Sequence, residues 1–148
     1  MEVCLTECKD AARWDAFAGS SPQGNVFCSS RFIRAIEEEH EFFMLEDKNV
    51  PQVGAIIAKK SGVVVQGPHP LTMYQGILFP AVHSAMPSHK RVKRELELTG
   101  ELLARLAERF NRLSFCLHYA LKDIRGLQWF HYHEPQLGQF RMNVGYTG

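Results

Sequence analysis

A long amphipathic helix between two groups of strand-like segments limits what this chain can fold into. Apolar residues recur at helical spacing from Ser88 to about Asn111, and such a stripe must be buried against another layer of structure. The repeating positions are Val92, Leu96, Thr99, Leu102, Leu103, Leu106 and Phe110. Strand-like runs on both sides of this helix predict an α/β (α+β) fold, a mixed β-sheet flanked by helices.

Two helices and several strands are predicted before the long helix. Trp14 and Phe17 share one face of a segment that Asp10 can cap, and a turn-rich stretch over 20–25 follows it. The other predictions are a first strand through Val3 and Leu5, a second helix over 29–40, a strand over 41–48, and a hairpin of the runs 53–60 and 62–67 around Lys60, Ser61 and Gly62.

The rest of the chain is predicted to be less regular. Residues 68–87 contain four of the seven prolines and are expected to form an ordered loop with a short strand through Ile77–Phe79. After the long helix, alternation of Leu113, Phe115 and Leu117 predicts a strand. A short helical segment over 123–130 and a last strand over 140–148 complete the prediction.

Composition excludes several classes of protein. The 148 residues fit one domain spanning 1–148, and a net charge of +1 gives no overall field that would attract DNA. No run approaches the roughly 18–20 apolar residues of a membrane span, and the acidic N-terminus is unlike a signal peptide. The four cysteines show no CxxC spacing, which favours a reduced cytoplasmic protein.

Three short motifs resemble the first half of the FemAB-like acyltransferases of the GNAT type. The first is WDAFAGSSPQGNVFCSSRFIRAI, which contains the turn Ser21-Pro22-Gln23-Gly24-Asn25-Val26-Phe27. The second is Pro70-Leu71-Thr72-Met73-Tyr74-Gln75-Gly76, in which Met73 replaces the family's usual proline. The third is Val144-Gly145-Tyr146-Thr147-Gly148, where Gly145 stands in place of a usual arginine.

The resemblance implies a GNAT-like sheet and a second GNAT-like domain following Gly148. Relatives transfer an acyl or aminoacyl group to an amine, in some cases while building peptidoglycan cross-bridges. The donor, an acyl-CoA or an aminoacyl-tRNA, would therefore require that second domain. The chain itself lacks the Q/R-x-x-G-x-G/A sequence that cradles a pyrophosphate at a helix N-terminus, so no cofactor is expected in this chain.

The resemblance also suggests where an acceptor would bind. The candidate substrate-binding residues are Thr72, Tyr74, Gln75 and Gly76 in the 68–80 loop, and Tyr146 in the last motif. The Tyr74 phenol could donate a hydrogen bond or act as an acid, or the ring could be an aromatic anchor that packs the loop onto the sheet. The acceptor would be a small molecule or resemble a cell-wall precursor.

Two other groups of residues leave alternatives open. His131 and His133 would face the same way on an extended segment and could hold Zn²⁺ with Glu134 and a third ligand, although no third ligand has convincing spacing. His89, Lys90, Arg91, Lys93 and Arg94 at the start of the long helix could dock a phosphate-bearing substrate or form a solvated face. A different class of function also fits: a non-catalytic binding or dimerisation module that retains the fold.

Overall fold

A five-stranded antiparallel sheet forms the centre of the protein. The structure is a computed structural model, and it describes residues 2–65 and 72–146. The strands are β1 (Cys4–Glu7), β2 (Glu39–Asp47), β3 (Val50–Lys60), β4 (Val63–Val64) and β5 (Ile77–Leu78). Their order is β1-β2-β3-β4, and β5 pairs with β3 at Gly54 and Ala55, on the same edge as β4.

Four α-helices flank this sheet. They are α1 (Ala11–Ser20), α2 (Ser30–Ala35), α3 (Ser88–Ala107) and α4 (Arg125–Gln128). Short 3-10 turns occur at Val26–Cys28, Ala81–Ala85 and Pro135–Leu137. The combination of a sheet with flanking helices confirms the predicted class of α/β (α+β). No helix in the described ranges combines the length and the apolar character needed to cross a membrane.

Alternation along the two longest strands divides the core into two parts. Phe43 and Leu45 of β2 point to the face that packs against the leucines of α3, while Met44 points to the opposite face and contacts the Trp14 side of the core. The same alternation on β3 separates Ile57 from Ile56. Because successive strand residues point to opposite faces, the buried runs of β2 and β3 serve both layers at once.

Helix α1 is fixed by its cap and by two carboxylates. The Asp10 side chain accepts a hydrogen bond from the Arg13 backbone N–H, as predicted for the cap. The Arg13 guanidinium in turn pairs with the buried carboxylate of Glu46 on β2. Asp15 accepts hydrogen bonds from the Ser30 N–H at 2.7 Å and from the Ser30 hydroxyl at 2.6 Å. Helix α1 is thus tied to both the sheet and the start of α2.

The β2–β3 hairpin closes through a two-residue turn at Lys48 and Asn49. Both residues have positive φ, 50° and 66°, which is the geometry of the tight turns that match the twist of a hairpin. The pairing register shifts between Leu45 and Glu46, which marks a bulge in the ladder. The prediction placed a strand over 41–48 but did not identify this turn, since neither turn residue is a glycine.

Four other predictions need correction. Every strand pair in the described residues is antiparallel, so the sheet is not mixed. Helix α2 ends at Ala35 rather than near His40, because Glu37 adopts a φ of 54°. Neither the 112–121 segment nor residues 140–146 form a strand in the described part of the chain.

Neither of the two segments predicted as strands joins a strand ladder in the described residues. Segment 112–121 lies beside the loop that precedes β5, and the Cys116 N–H donates to the Gln75 carbonyl at 3.2 Å. A ladder consists of a series of such bonds between two extended segments. Residues 141–146 are exposed, and Thr147 and Gly148 of the predicted last strand lie outside the described residues. Sequence alternation alone therefore did not specify a strand at either place.

Candidate functional site

The first and second family-like motifs, about 50 residues apart in sequence, pack directly against each other. The motif-one turn covers residues 21–27 and is followed directly by Cys28. The described part of the motif-two loop covers residues 72–76, since Pro70 and Leu71 lie outside the described residues. The side-chain amides of Asn25 and Gln75 each supply a hydrogen bond between the turn and the loop. We call this junction the turn–loop junction.

Asn25 is the central hydrogen-bonding residue of the turn–loop junction. Its amide nitrogen donates to the Tyr74 carbonyl at 3.2 Å and lies 3.1 Å from the Gln23 carbonyl. Its amide oxygen accepts from the Phe27 N–H at 2.9 Å, which starts the short 3-10 turn. The Cys28 thiol also donates to the Tyr74 carbonyl at 3.4 Å. The backbone of Tyr74 is therefore held from the motif-one side.

Gln23 and Gly24 explain why this turn needs its particular residues. The Gln23 side-chain oxygen accepts from the Phe79 N–H at 2.9 Å and so ties the turn to the end of β5. A Cβ on Gly24 would lie 1.8 Å from the Ala18 carbonyl oxygen at the end of α1. Because no side chain fits at that distance, only glycine lets the chain pass this close to the helix.

Gln75 is buried, with 4% of its surface exposed, and both ends of its amide are engaged. Its nitrogen donates to the Phe27 carbonyl at 2.8 Å, and its oxygen lies 3.1 Å from His40 Nε2. His40 Nδ1 in turn lies 3.1 Å from the Glu38 carbonyl. Since both neighbours are oxygen acceptors, the ring donates to both only when both nitrogens are protonated. A contact between Gln75 and a substrate stays a prediction. In the structure its amide anchors the loop to Phe27 and His40.

Tyr74 is the residue of the loop that presents a ring to other aromatic groups. Its φ is 56°, in the left-handed region that a non-glycine residue adopts only under constraint. The ring packs edge-on against His118, with centroids 5.0 Å apart, and against Tyr119 at 6.0 Å. His118 and Tyr119 stack on each other at 4.1 Å. We call these three residues the Tyr74 cluster.

The surroundings of His118 define what its ring can do. The Ala120 N–H donates to His118 Nδ1 at 3.0 Å, so that nitrogen carries no proton and Nε2 carries it in the neutral ring. Burial lowers the pKa of His118, and the nearby positive charge of Lys122 lowers it further. The neutral ring is thus favoured. In that form Nε2 carries the proton and is a hydrogen-bond donor, so the ring is not placed to act as a base.

The remaining predicted residues do not all come together. Thr72 is buried, and its Oγ1 forms no hydrogen bond within the described ranges 2–65 and 72–146. Gly76 packs against the 116–117 segment, where a Cβ would lie 3.1 Å from the Cys116 carbonyl oxygen. Tyr146 is 95% exposed and takes no part in the Tyr74 cluster. The structure therefore brings the 72–76 loop and motif one together, but not motif three.

His131 and His133 pack on separate aromatic neighbours. The His131 ring lies on Phe130 with centroids 3.8 Å apart, and the exposed His133 meets Tyr132 edge-on. Among the residues that the structure describes, no three or more His, Cys, Asp or Glu side chains are grouped so that they could hold a metal ion.

The basic start of α3 has partners of its own. Lys93 pairs with Glu97 at 3.9 Å on an exposed face, and Arg94 donates to the Gln52 side chain at 2.7 Å. The Lys93–Glu97 pair fits the solvated-face interpretation of the cluster, whereas the half-buried Arg94 joins α3 to β3. These contacts leave a phosphate-docking role without specific support.

The thiol beside the turn–loop junction is not a nucleophile. Cys28 is fully buried, and this burial raises its pKa to about 11 although Asn25 hydrogen bonds partly oppose the shift. A thiol with that pKa is almost entirely protonated near neutral pH. Its weak donation to the Tyr74 carbonyl is therefore a structural contact.

Sequence reasoning did not identify His118 and Asn25 as site residues. Asn25 carries a local signal, because asparagine side chains commonly bond their own backbone in turns, but its bond to Tyr74 spans 49 positions. His118 lies 44 positions from Tyr74, and nothing local predicts their contact.

Comparisons with known proteins do not assign the chain to a family. No family model matches the chain, and no match was found among curated proteins or among solved structures.

Proposed function

We propose that this chain is the acceptor-side domain of a GNAT-type, FemAB-like acyl- or aminoacyltransferase. In this proposal the fold is the GNAT-like half that the motifs resemble, and the Tyr74 cluster meets the acceptor. The observation that carries the proposal is the turn–loop junction, in which Asn25 of motif one holds the backbone of Tyr74 of motif two across 49 positions of sequence. The reducing cytoplasm is the proposed location, and its support is four free cysteines.

The chemistry of the Tyr74 cluster suits binding rather than proton abstraction. His118 presents Nε2–H in its neutral form, and a tyrosine hydroxyl is also a donor near neutral pH. Two donors would recognise an oxygen-bearing part of the acceptor, such as a carbonyl or a carboxylate. The acceptor amine must lose a proton as its nitrogen attacks the acyl carbonyl and the thioester or ester bond breaks. In the proposal that base, like the acyl donor, comes with a second GNAT-like domain.

Amide chemical-shift mapping by NMR on the ¹⁵N-labelled chain tests the proposal. The probe is a peptidoglycan stem peptide with a free lysine amine, and the expected response is a saturable shift at Tyr74, Gly76, His118 and Ala120. Tyr74→Phe and His118→Asn should each weaken binding by about three- to tenfold, because each removes one hydrogen bond. Tyr132→Phe, at a tyrosine that is 65% exposed, is the matched control and should leave the affinity unchanged.

Two outcomes would overturn parts of this proposal. Shifts that avoid the Tyr74 cluster, or that are insensitive to both variants, would remove the acceptor site. Saturable binding of acetyl-CoA by this chain alone would contradict the incomplete donor site. The same spectra, recorded with acetyl-CoA in place of the peptide, distinguish the two failures.

An alternative from a different class is a non-catalytic binding or dimerisation module. The supporting observation is a set of large exposed hydrophobic side chains in the irregular C-terminal part of the chain, namely Tyr119, Trp129, Tyr132, Leu137, Val144 and Tyr146. Exposed apolar side chains mark a partner surface where they form one contiguous patch. Sedimentation velocity across a concentration series separates the alternatives, because a stable dimer with no peptide binding would favour the module.

A further inference from the structure

A recess lies between the end of α3 and the 130–140 segment. Its volume is about 410 Å³, which falls in the range of small-molecule sites. None of its lining residues belongs to the Tyr74 cluster or to the turn–loop junction. We call it the α3-end cleft.

Aromatic rings form the walls of the α3-end cleft. Phe110, Phe130 and Phe140 all line it, and the last two lie with centroids 5.7 Å apart and planes inclined by 52°. Phe110 is itself held edge-on by Phe43 of the core at 5.6 Å. Rings fixed at different inclinations offer both face and edge contacts to a planar ligand.

The polar groups on the cleft are cationic or neutral. Arg112 and His131 line it together with the neutral amide of Gln139, and no acidic side chain does so in the part of the chain that the structure describes. Such a lining favours an anion over a cation, since the guanidinium donates readily to carboxylates and nothing in the lining repels them.

His131 occupies the cleft under backbone constraint. Its φ is 52°, and its Nδ1 donates to the Gly138 carbonyl at 2.9 Å, while the Gln139 amide donates to the His131 carbonyl at 3.3 Å. These bonds close the 131–139 loop and leave Nε2 as an acceptor in the neutral ring. Residues in sparsely populated conformations concentrate at ligand sites.

We propose that the α3-end cleft binds a small planar aromatic anion. The rings hold the planar part, and Arg112 attracts the negative charge. A ring N–H on the ligand can donate to His131 Nε2. This site is separate from the proposed acceptor surface, so either proposal can fail without the other.

Indole-3-acetate and its uncharged analogue indole-3-acetamide form a matched pair of probes for the full chain. Titrated into the ¹⁵N-labelled protein, indole-3-acetate should give saturable shifts at the amides of 110–113 and 130–140. Its affinity should exceed that of the acetamide by about fivefold, the upper size expected for an exposed ion pair. Acetate alone, which lacks the ring, should not saturate.

Arg112→Gln should bring the two probes to the same affinity, while Arg112→Lys should retain part of the preference for the anion. The matched control is Arg34→Gln on α2, which removes the same charge from an exposed position outside the cleft lining and should leave the preference intact. Equal binding of both probes by the unmodified protein would overturn the proposal. So would shifts confined to other surfaces, or no saturable shift with indole-3-acetate.

Discussion

At the scale of single residues, two glycines show how closely the layers approach. Gly54 on β3 faces α1, where an added Cβ would lie 2.5 Å from Phe17 Cε1 and 3.2 Å from Trp14 Cζ3. Gly100 on α3 is the opposite case, since nothing lies within 4 Å of its added Cβ. One glycine is thus required by packing, and the other is only a weak point in a helix.

The two glycines give opposite predictions for the same substitution. Gly54→Ala should lower the free energy of unfolding by about 1–3 kcal/mol, because the methyl group overpacks the Trp14–Phe17 layer. Gly100→Ala should raise it by about 1 kcal/mol, because alanine favours the helix. Urea unfolding curves would measure both changes, provided that the dependence of the free energy of unfolding on urea concentration is the same in each variant. A loss of stability in Gly100→Ala would show that α3 is covered at that point.

His118 predicts a pH dependence of stability. Its pKa is held below the ordinary value of 6.5 by burial and by Lys122, so the unfolded chain takes up this proton at a higher pH than the folded protein does. The lowered pKa of His118 therefore favours the folded state above about pH 6.5. That contribution is lost as the pH falls through the pKa that His118 has in the folded protein.

The measurement is the difference in free energy of unfolding between the unmodified protein and His118→Asn from pH 7.5 to 5. This difference should fall towards acid pH, because only the unmodified protein carries a ring whose pKa is lowered in the folded state. In a Lys122→Gln background the fall should be smaller, because one of the two causes that lower the His118 pKa is gone. A difference that is constant with pH, or that rises towards acid, would contradict the assignment of His118 as a neutral donor.

At the scale of elements, the turn–loop junction is the feature that positions the candidate site. Motif one caps and follows α1, and motif two precedes β5, so their contact fixes the short β5 relative to the first helix. Asn25 supplies the bonds that close this contact. The loop that carries Tyr74 should therefore depend on Asn25 more than on any apolar packing of its own.

Asn25→Ala removes the donor to Tyr74 and leaves its carbonyl with only the weak Cys28 thiol bond. We expect a loss of about 1–3 kcal/mol in stability, the usual cost of leaving a buried polar group poorly paired. Hydrogen exchange should accelerate at residues 72–76 more than in α3. The matched control is Asn143→Ala at an exposed asparagine, and equal effects of the two variants would count against the junction.

Sequence patterns predicted elements well wherever the signal was local. Asp10 as a cap and the Trp14 and Phe17 face follow from short-range periodicity, and the structure confirms them. The stripe of the long helix is confirmed at Thr99, Leu102, Leu103 and Leu106. The helix ends at Ala107 rather than near Asn111, and the fully buried Leu98 was not among the predicted positions, whereas Val92 and Leu96 are only half-buried. The alternation over 112–121 predicted a strand wrongly, because a strand also needs a backbone partner, and alternation within one segment does not specify that partner. The site was predictable only in part: the loop residues carried a motif, while their His118 partner depends on a contact between distant segments.

At the scale of the whole molecule, regular structure and burial are unevenly distributed along the chain. Two core clusters cover the two faces of the sheet, and β1 joins that sheet through four paired residues from Cys4 to Glu7. Residues 141–146, in contrast, are exposed and irregular, with Val144 at 80% exposure. The two ends of the chain should therefore contribute very differently to stability.

Deletions of similar length at the two ends test this asymmetry. Removing residues 141–148 should change the free energy of unfolding by no more than about 0.5 kcal/mol, because residues 141–146 are exposed and surface changes usually have effects of that size. Removing residues 2–9 should cost several times more, because it deletes the β1 ladder and the buried Cys8. Thermal and urea unfolding of both variants would give the comparison. A large loss on removing 141–148 would show that this segment packs against the core, and it would then no longer be a surface open to the proposed second domain.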